Sequence, residues 1–351
     1  MDEKNLVDVS GDSEADSHEF HMASLDIEPD YGNDGDDDDA ESCIYDLLES
    51  KPVYDGDCNH AIDLNHKDKD GSGNYTTIQA AIDASPVRSP RRYYIRVKPG
   101  NYTGEHATTV WENRTNIALI GDDAGSTIVT GNRSAGCMPM PKMTDIETAS
   151  MIIQGSGFMA RSITFENTAP QPNSCQALAL ANNADHSAFY QCVFKGYQDT
   201  LLANQNNQFY KDCDIYGSVD FIWGYGKAVF QGCRLYARRT GPNGNVITAQ
   251  GKEKSDQDSG FSFQNCKSFL DSNVEPEGWT KWNHTAPKRT IFYAEYNNSG
   301  PGANTSGRVK WPGYRVLTNP AEANPFTVSK FIDGDSWIPE TGIPYQGGLN
   351  A

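Results

Sequence analysis

The chain has 351 residues, 37% of them hydrophobic and 11% aromatic, with a formal net charge of −18. No apolar run approaches the ~18 residues that span a bilayer, so no membrane association is expected, and no basic cluster marks a nucleic-acid binder. The acidity is local: residues 1–57 carry 20 acidic residues against two lysines, and the remainder is neutral.

Residues 1–62 read as an acidic, disordered tail, exemplified by Asp34-Gly35-Asp36-Asp37-Asp38-Asp39. High charge with few apolar residues leaves too little burial to offset ordering entropy. Such a tail serves either as a solvated spacer or as an acidic interaction arm. A folded domain is expected over 63–346. At its start, Asp68, Asp70, Ser72 and Gly73 imitate a calcium loop, but position 12 is Gln79, which lacks the bidentate carboxylate; no metal is assigned. Thr77 to Ala84 then places apolar residues at helical spacing and stops before Pro86, which predicts a short helix capping an all-β body.

From Tyr93 onward short β-type runs follow one another, divided by Gly, Asn and Asp, as in Tyr94–Val97, Ile117–Gly121 and Ser162–Phe165. No helix-period segments alternate with them, which excludes a βαβ architecture. Aromatic residues precede Cys192, Cys213, Cys233 and Cys266 by two to five places, at Cys spacings of 21, 20 and 33. That period signals a solenoid, and short strands without helices make it a parallel β-helix. The cysteines then form an inward ladder. Either they are buried small apolar residues, or stacked neighbours are oxidised, with Cys192–Cys213 the favoured disulfide. There is no CxxC pair, so no zinc cluster is expected. Seven Asn-x-Ser/Thr sequons, at Asn74, Asn101, Asn113, Asn132, Asn283, Asn297 and Asn304, lean towards a secreted glycoprotein.

Within the repeat, Asp199 and Asp220 stand 21 residues apart and Gln176 and Gln198 stand 22 apart. One coil of about that length stacks them on neighbouring rungs, ~4.8 Å apart. Two like charges so close cannot both ionise freely, so one carboxyl is held protonated and the other ionised. The amides of Gln176 and Gln198 are suited to a developing oxyanion. The competing reading makes these turn aspartates and ladder glutamines with no chemistry.

At these residues the sequence resembles the pectin methylesterases (pectinesterases). The matching stretches are Lys69 to Ile78, Gln176-Ala177-Leu178-Ala179-Leu180, Gln198-Asp199-Thr200-Leu201, Asp220-Phe221-Ile222-Trp223-Gly224, Phe292 to Tyr296 and Arg308 to Tyr314, with the resemblance running on to Ile343-Pro344. The resemblance implies a right-handed parallel β-helix that removes methyl esters from homogalacturonan (pectin) in the cell wall. It implies Asp220 as nucleophile, Asp199 as general acid and then base, Gln198 as oxyanion stabiliser and Gln176 as its helper. Gln176, Ser150 and Phe221 are implied as substrate contacts. No cofactor and no metal are implied. The partners implied are methylesterified pectin and a proteinaceous pectinesterase inhibitor, with an extracellular, monomeric protein.

The chain departs from the family pattern in four places. Gly100 to Glu105 carries one residue more than the family's Gly-x-Tyr-x-Glu. Trp223 replaces a usual Phe. No signal or inhibitor-like pro-region is recognisable. Most consequentially, Phe263-Gln264-Asn265-Cys266-Lys267 runs straight into Ser268, where the family inserts a Leu-Gly-Arg-Pro-Trp block. About one coil is missing, and with it an Arg that holds the nucleophile and a Trp that lines the sugar site. The alternative function is therefore a catalytically impaired β-helix that binds pectin or a protein partner.

Overall fold

The structure, a computed structural model, describes residues 20–22, 62–64, 75–135, 143–170, 175–238, 246–250, 256–269, 276–279, 292–298 and 303–349. Short strands coil into a right-handed parallel β-helix with three sheets. The first has eight strands, seven running in order from Gly100–Thr103 through Thr127–Gly131 and Thr164–Asn167 to Cys266–Phe269, with Phe20–Met22 as the eighth beside the last. The second has six: Thr108–Val110, Met151–Ile153, Leu180–Asn182, Leu201–Ala203, Val219–Trp223 and Val246–Ala249. The third has eight, including Tyr93–Val97, Ser187–Tyr190, Asn207–Lys211, Lys227–Gln231 and Gly260–Gln264. A separate parallel pair joins Tyr293–Tyr296 to Tyr314–Leu317.

The predicted period sets the register. Leu180, Leu201 and Ile222 lie opposite one another in the second sheet. Phe189, Tyr210, Phe230 and Phe263 do so in the third, so this sheet repeats at the intervals that separate the cysteines. Equivalent side chains therefore stack. Phe189, Tyr210, Phe230 and Phe263 form a column with ring centroids 4.9, 4.6 and 4.7 Å apart and near-parallel planes. Offset stacks of this kind add to what area burial alone contributes.

The cysteine ladder is present, but the Cys192–Cys213 disulfide is not: Cys192, Cys213, Cys233 and Cys266 are buried free thiols. The reason is geometric. Bonded cysteines need Cβ atoms ~3.8 Å apart, whereas in-register stacking fixes parallel side chains one strand spacing, ~4.8 Å, apart. Each thiol instead donates to a carbonyl one coil back, Cys213 to Phe189 O at 3.5 Å and Cys266 to Phe230 O at 3.2 Å. Cys175, by contrast, is disulfide-bonded.

The capping helix forms over Ile78–Ala84, with the Thr77 side chain accepting from Ala80 N–H at 3.1 Å and Ile78, Ala81 and Ile82 buried in the core. Gln79, disqualified as a calcium ligand, closes the open edge of the second sheet. Its Nε2 donates to Thr109 O at 3.1 Å and its Oε1 accepts from Thr109 N–H at 2.7 Å, so one side chain substitutes for a missing strand. At the other end of the sequence, Val328, Ile332, Trp337, Ile338 and Ile343 cover the outer face of the third sheet, over Ala118, Ile120, Met159, Ala188, Phe209 and Val229.

Two three-residue strands are described before residue 75, one within the acidic tail and one across its boundary with the folded domain. Phe20–Met22 pairs antiparallel with Cys266–Phe269, and Ile62–Leu64 extends the third sheet beside Tyr93–Val97. The tail's predicted disorder and the calcium-like loop up to Asn74 otherwise lie outside the described residues. Among the described residues no helix is long and apolar enough to cross a membrane, and no cluster of three or more His, Cys, Asp or Glu is placed to hold a metal.

Candidate active site

Two successive turns entering the second sheet share one local plan. Gly196-Tyr197-Gln198-Asp199-Thr200 and Gly217-Ser218-Val219-Asp220-Phe221 each place an Asp three residues after a Gly. Both aspartates have left-handed backbones, φ 61° at Asp199 and 50° at Asp220, a region Asp tolerates better than most residues. The residue after each Asp folds back over the Gly. A Cβ on Gly196 would stand 2.6 Å from Thr200 Oγ1, and one on Gly217 2.1 Å from Phe221 Cβ. Only glycine fits either turn.

The 21-residue ladder thus puts Asp199 and Asp220 at equivalent positions on adjacent rungs, and Asp199 N–H donates to Val219 O at 3.0 Å. Asp199 is buried, 7% exposed. Burial, then the charge of Asp220, then that of Asp145, push its carboxyl up to about 8. Burial also raises Asp220, which is half-buried. Among the described residues neither carboxylate has an ion pair or a side-chain hydrogen bond. Asp199 is thus raised by burial and by two neighbouring charges, and Asp220 by burial alone, so Asp199 holds its proton the more tightly of the two, a division set by environment and not by residue type.

Gln198 lies beside them with its Oε1 buried and unpartnered. Its Nε2 has no partner among the described residues, which leaves the donor end of the amide free for a ligand. Gln176 comes close but one position out of step. Ala177 N–H, not that of Gln176, donates to Gln198 O at 3.3 Å, while Gln176 O accepts from Ala135 N–H at 2.9 Å. The backbones of Gln176, of Gln198 and Asp199, and of Asp220 thus lie on three successive rungs.

Two expected substrate contacts do not. Phe221 is fully buried in the main core. The left-handed Asp220 and a register shift between Val219 and Ile222 break the alternation of the strand, so Phe221 and Ile222 both turn inward. Trp223 takes the outer face instead, packed on Leu202, Ala181 and Ile152, with its Nε1 buried and unpartnered. Ser150 is 3% exposed, and its Oγ donates to Glu166 O at 2.6 Å; its hydroxyl is spent inside the coil.

Two residues had no sequence signal. Asp145 immediately precedes the short 3-10 turn Ile146–Thr148. Thr148 Oγ1 donates to Asp145 O at 2.6 Å and accepts from Leu178 N–H at 3.1 Å, and Leu178 is the rung neighbour of Asp199. Arg238 holds the Gly196 turn from two coils on: its Nη1 donates to Gly196 O at 3.1 Å, and its guanidinium lies 4.8 Å from the Tyr197 ring and 5.5 Å from the Tyr216 ring. Arg308, from a matching motif, is committed elsewhere, to Glu295 at 2.7 Å.

The model of the family described as Pectinesterase matches residues 67–273 and 267–335. The chain belongs to the pectinesterase family. The pectinesterase match restarts where the Leu-Gly-Arg-Pro-Trp block is missing after Lys267. Pectinesterase 2 of Citrus sinensis is 40% identical over 313 residues, 80% of this chain and 60% of that protein. A probable pectinesterase/pectinesterase inhibitor 17 of Arabidopsis thaliana is 42% identical over 80% of this chain and 59% of its own length. The chain thus spans about three fifths of these curated relatives. A solved pectin methylesterase from carrot superposes with a TM-score of 0.77 at 35% identity, over 85% of this chain and 100% of that one. One from Aspergillus niger gives 0.63 at 25% identity, over 82% and 97%.

Proposed function

We propose that this chain is a carboxylic-ester hydrolase that removes methyl esters from homogalacturonan, giving pectate and methanol. The observation that carries this reading is the pair of stacked carboxyls, one holding its proton more tightly than the other, beside an amide with a free donor. Asp220 attacks the ester carbonyl carbon. Gln198, assisted by Gln176, donates to the oxyanion. As the bond to the methoxy oxygen breaks, Asp199 gives that oxygen its proton and methanol leaves. The ionised Asp199 then takes a proton from water, and the hydroxide adds to the acyl carbon. The bond to Asp220 breaks, the galacturonic acid is released and gives its proton to solvent, and both aspartates are restored. No metal and no cofactor enter this sequence.

Pectin as substrate makes the cell wall the site of action. Relatives named pectinesterase/pectinesterase inhibitor support an inhibitor protein as a second partner, and the chain acts as a monomer in this reading. Binding of pectin without turnover is the less supported alternative, because all four polar residues of the site are retained and only the supporting Arg and Trp are lost. Methanol release from methylated pectin decides between the two, with Asp220→Asn as control. Asn is the better replacement because it keeps the left-handed backbone. Release no greater than that of the control overturns the proposal, and retention on pectin without release establishes the alternative.

A further inference from the structure

The corner of the coil that follows the second sheet carries features the carboxyl pair does not use. It lies at the opposite end of the strands from that pair: Asp199 precedes Leu201–Ala203, and Asn204 follows it. Backbone bonds from Gln154 N–H to Val110 O, Asn183 N–H to Ile153 O, Asn204 N–H to Asn182 O and Tyr225 N–H to Asn204 O stack these turns one above another. At the rungs nearest the capping helix the corner opens into two hollows of about 700 and 350 Å³ that share Arg88 and Thr115. The larger is walled by Trp111, Arg114 and Gln154, and the smaller by Arg92 and His186.

Arg88 is exposed and makes no side-chain bond among the described residues. Arg92 spends Nη1 on Gly157 O at 2.8 Å, and Arg114 spends Nη1 on Ser85 O. Trp111 is 51% exposed, and His186 is stacked on Trp337 at 5.1 Å. Glu112 and Glu340 face the hollows too, leaving three guanidiniums against two carboxylates. Guanidiniums grip carboxylates in pairs of parallel bonds. An exposed indole offers a flat apolar face to a pyranose ring. A chain whose folded part is neutral thus holds a cationic, aromatic trough away from its reactive aspartates.

We propose that this trough is a second binding site, for the de-esterified segments of a uronic-acid polysaccharide. Arg88, Arg92 and Arg114 take sugar carboxylates, and Trp111 stacks on a ring. The identity of the polymer rests on the ester-hydrolase reading above, whose product carries these carboxylates. The trough holds the polyanion about three rungs, ~14 Å along the axis, from Asp199, and retains product without occupying the reactive site.

The test is titration of hexagalacturonate into the full chain carrying Asp220→Asn, produced without N-glycans because the sequon Asn113 lies on the rim. Arg88→Glu is expected to weaken binding about tenfold, and Trp111→Ala to weaken it several-fold. Added salt weakens binding, and uncharged maltohexaose does not bind. Unaltered hexagalacturonate affinity in both variants overturns the proposal. Methanol release from a short methylated oligomer, measured with Asp220 intact, is expected to be unchanged by Arg88→Glu. The two readings fail separately. No methanol release with Arg88-dependent binding sinks the esterase and keeps the trough; methanol release with Arg88-independent binding does the reverse.

Discussion

Asp199 and Asp220 hold the same left-handed backbone on adjacent rungs, φ 61° and 50°, each three residues after a glycine that its own following residue covers. The two carboxyls are thereby fixed to one face by backbone geometry, not by a shared hydrogen bond. Burial then separates them: Asp199 is pushed up to about 8 by its surroundings, by Asp220 and by Asp145.

Asp199→Asn tests the protonated role. An acid raised from its ordinary value binds its proton more tightly in the folded chain, so its contribution to stability is full below about pH 4 and is lost as pH rises to about 8. The Asn variant is expected to be more stable than the parent at pH 8 by roughly 1–3 kcal/mol and equal to it near pH 4, with methanol release abolished. Thermal unfolding at the two pH values measures this; equal destabilisation at both contradicts the assignment.

Asp145→Asn removes the third cause of that shift while leaving the attacking group in place. The alkaline limb of the kcat/KM profile, which reports loss of the Asp199 proton, is expected to move to lower pH. The acid limb, set by Asp220, should stay. An unmoved alkaline limb means that Asp145 does not act on Asp199.

Gln198→Ala removes the donor aimed at the oxyanion. Loss of one such donor costs about 10²–10³ in kcat, and the thermal midpoint should hold, because Gln198 Oε1 is already unpartnered. A fall confined to KM would reassign Gln198 to ground-state binding.

Gln79→Ala opens the edge of the second sheet far from the chemistry. Two hydrogen bonds to the Thr109 backbone are lost, at about 1–3 kcal/mol. Urea unfolding reads this directly, and activity at saturating substrate should be unchanged.

The four stacked thiols yield a chemical prediction. Alkylation of the unfolded, unreduced chain should label Cys192, Cys213, Cys233 and Cys266, and peptide mass spectrometry should leave Cys175 unlabelled. Labelling only after reduction would show that the ladder can close into disulfides.

The sequence by itself determined the coil, its period and the placing of Gln176, Gln198, Asp199 and Asp220 on successive rungs. Stacking in a parallel β-helix makes equal spacing in sequence into adjacency in space, so a repeat of aromatic and Cys positions is already a register. It also marked the gap after Lys267. What it could not determine is which way a side chain faces once alternation breaks. The left-handed Asp220 and the shifted register turn Phe221 inward and leave Trp223 outside. Nor could it place contacts between unequal coils. Gln79 reaches Thr109 across 30 residues, Asp145 acts on Asp199 from a turn two rungs away, and the trough gathers Arg88, Arg114 and His186 from separate turns. Those contacts depend on how the coils' irregular corners pack, and no period in the chain encodes that.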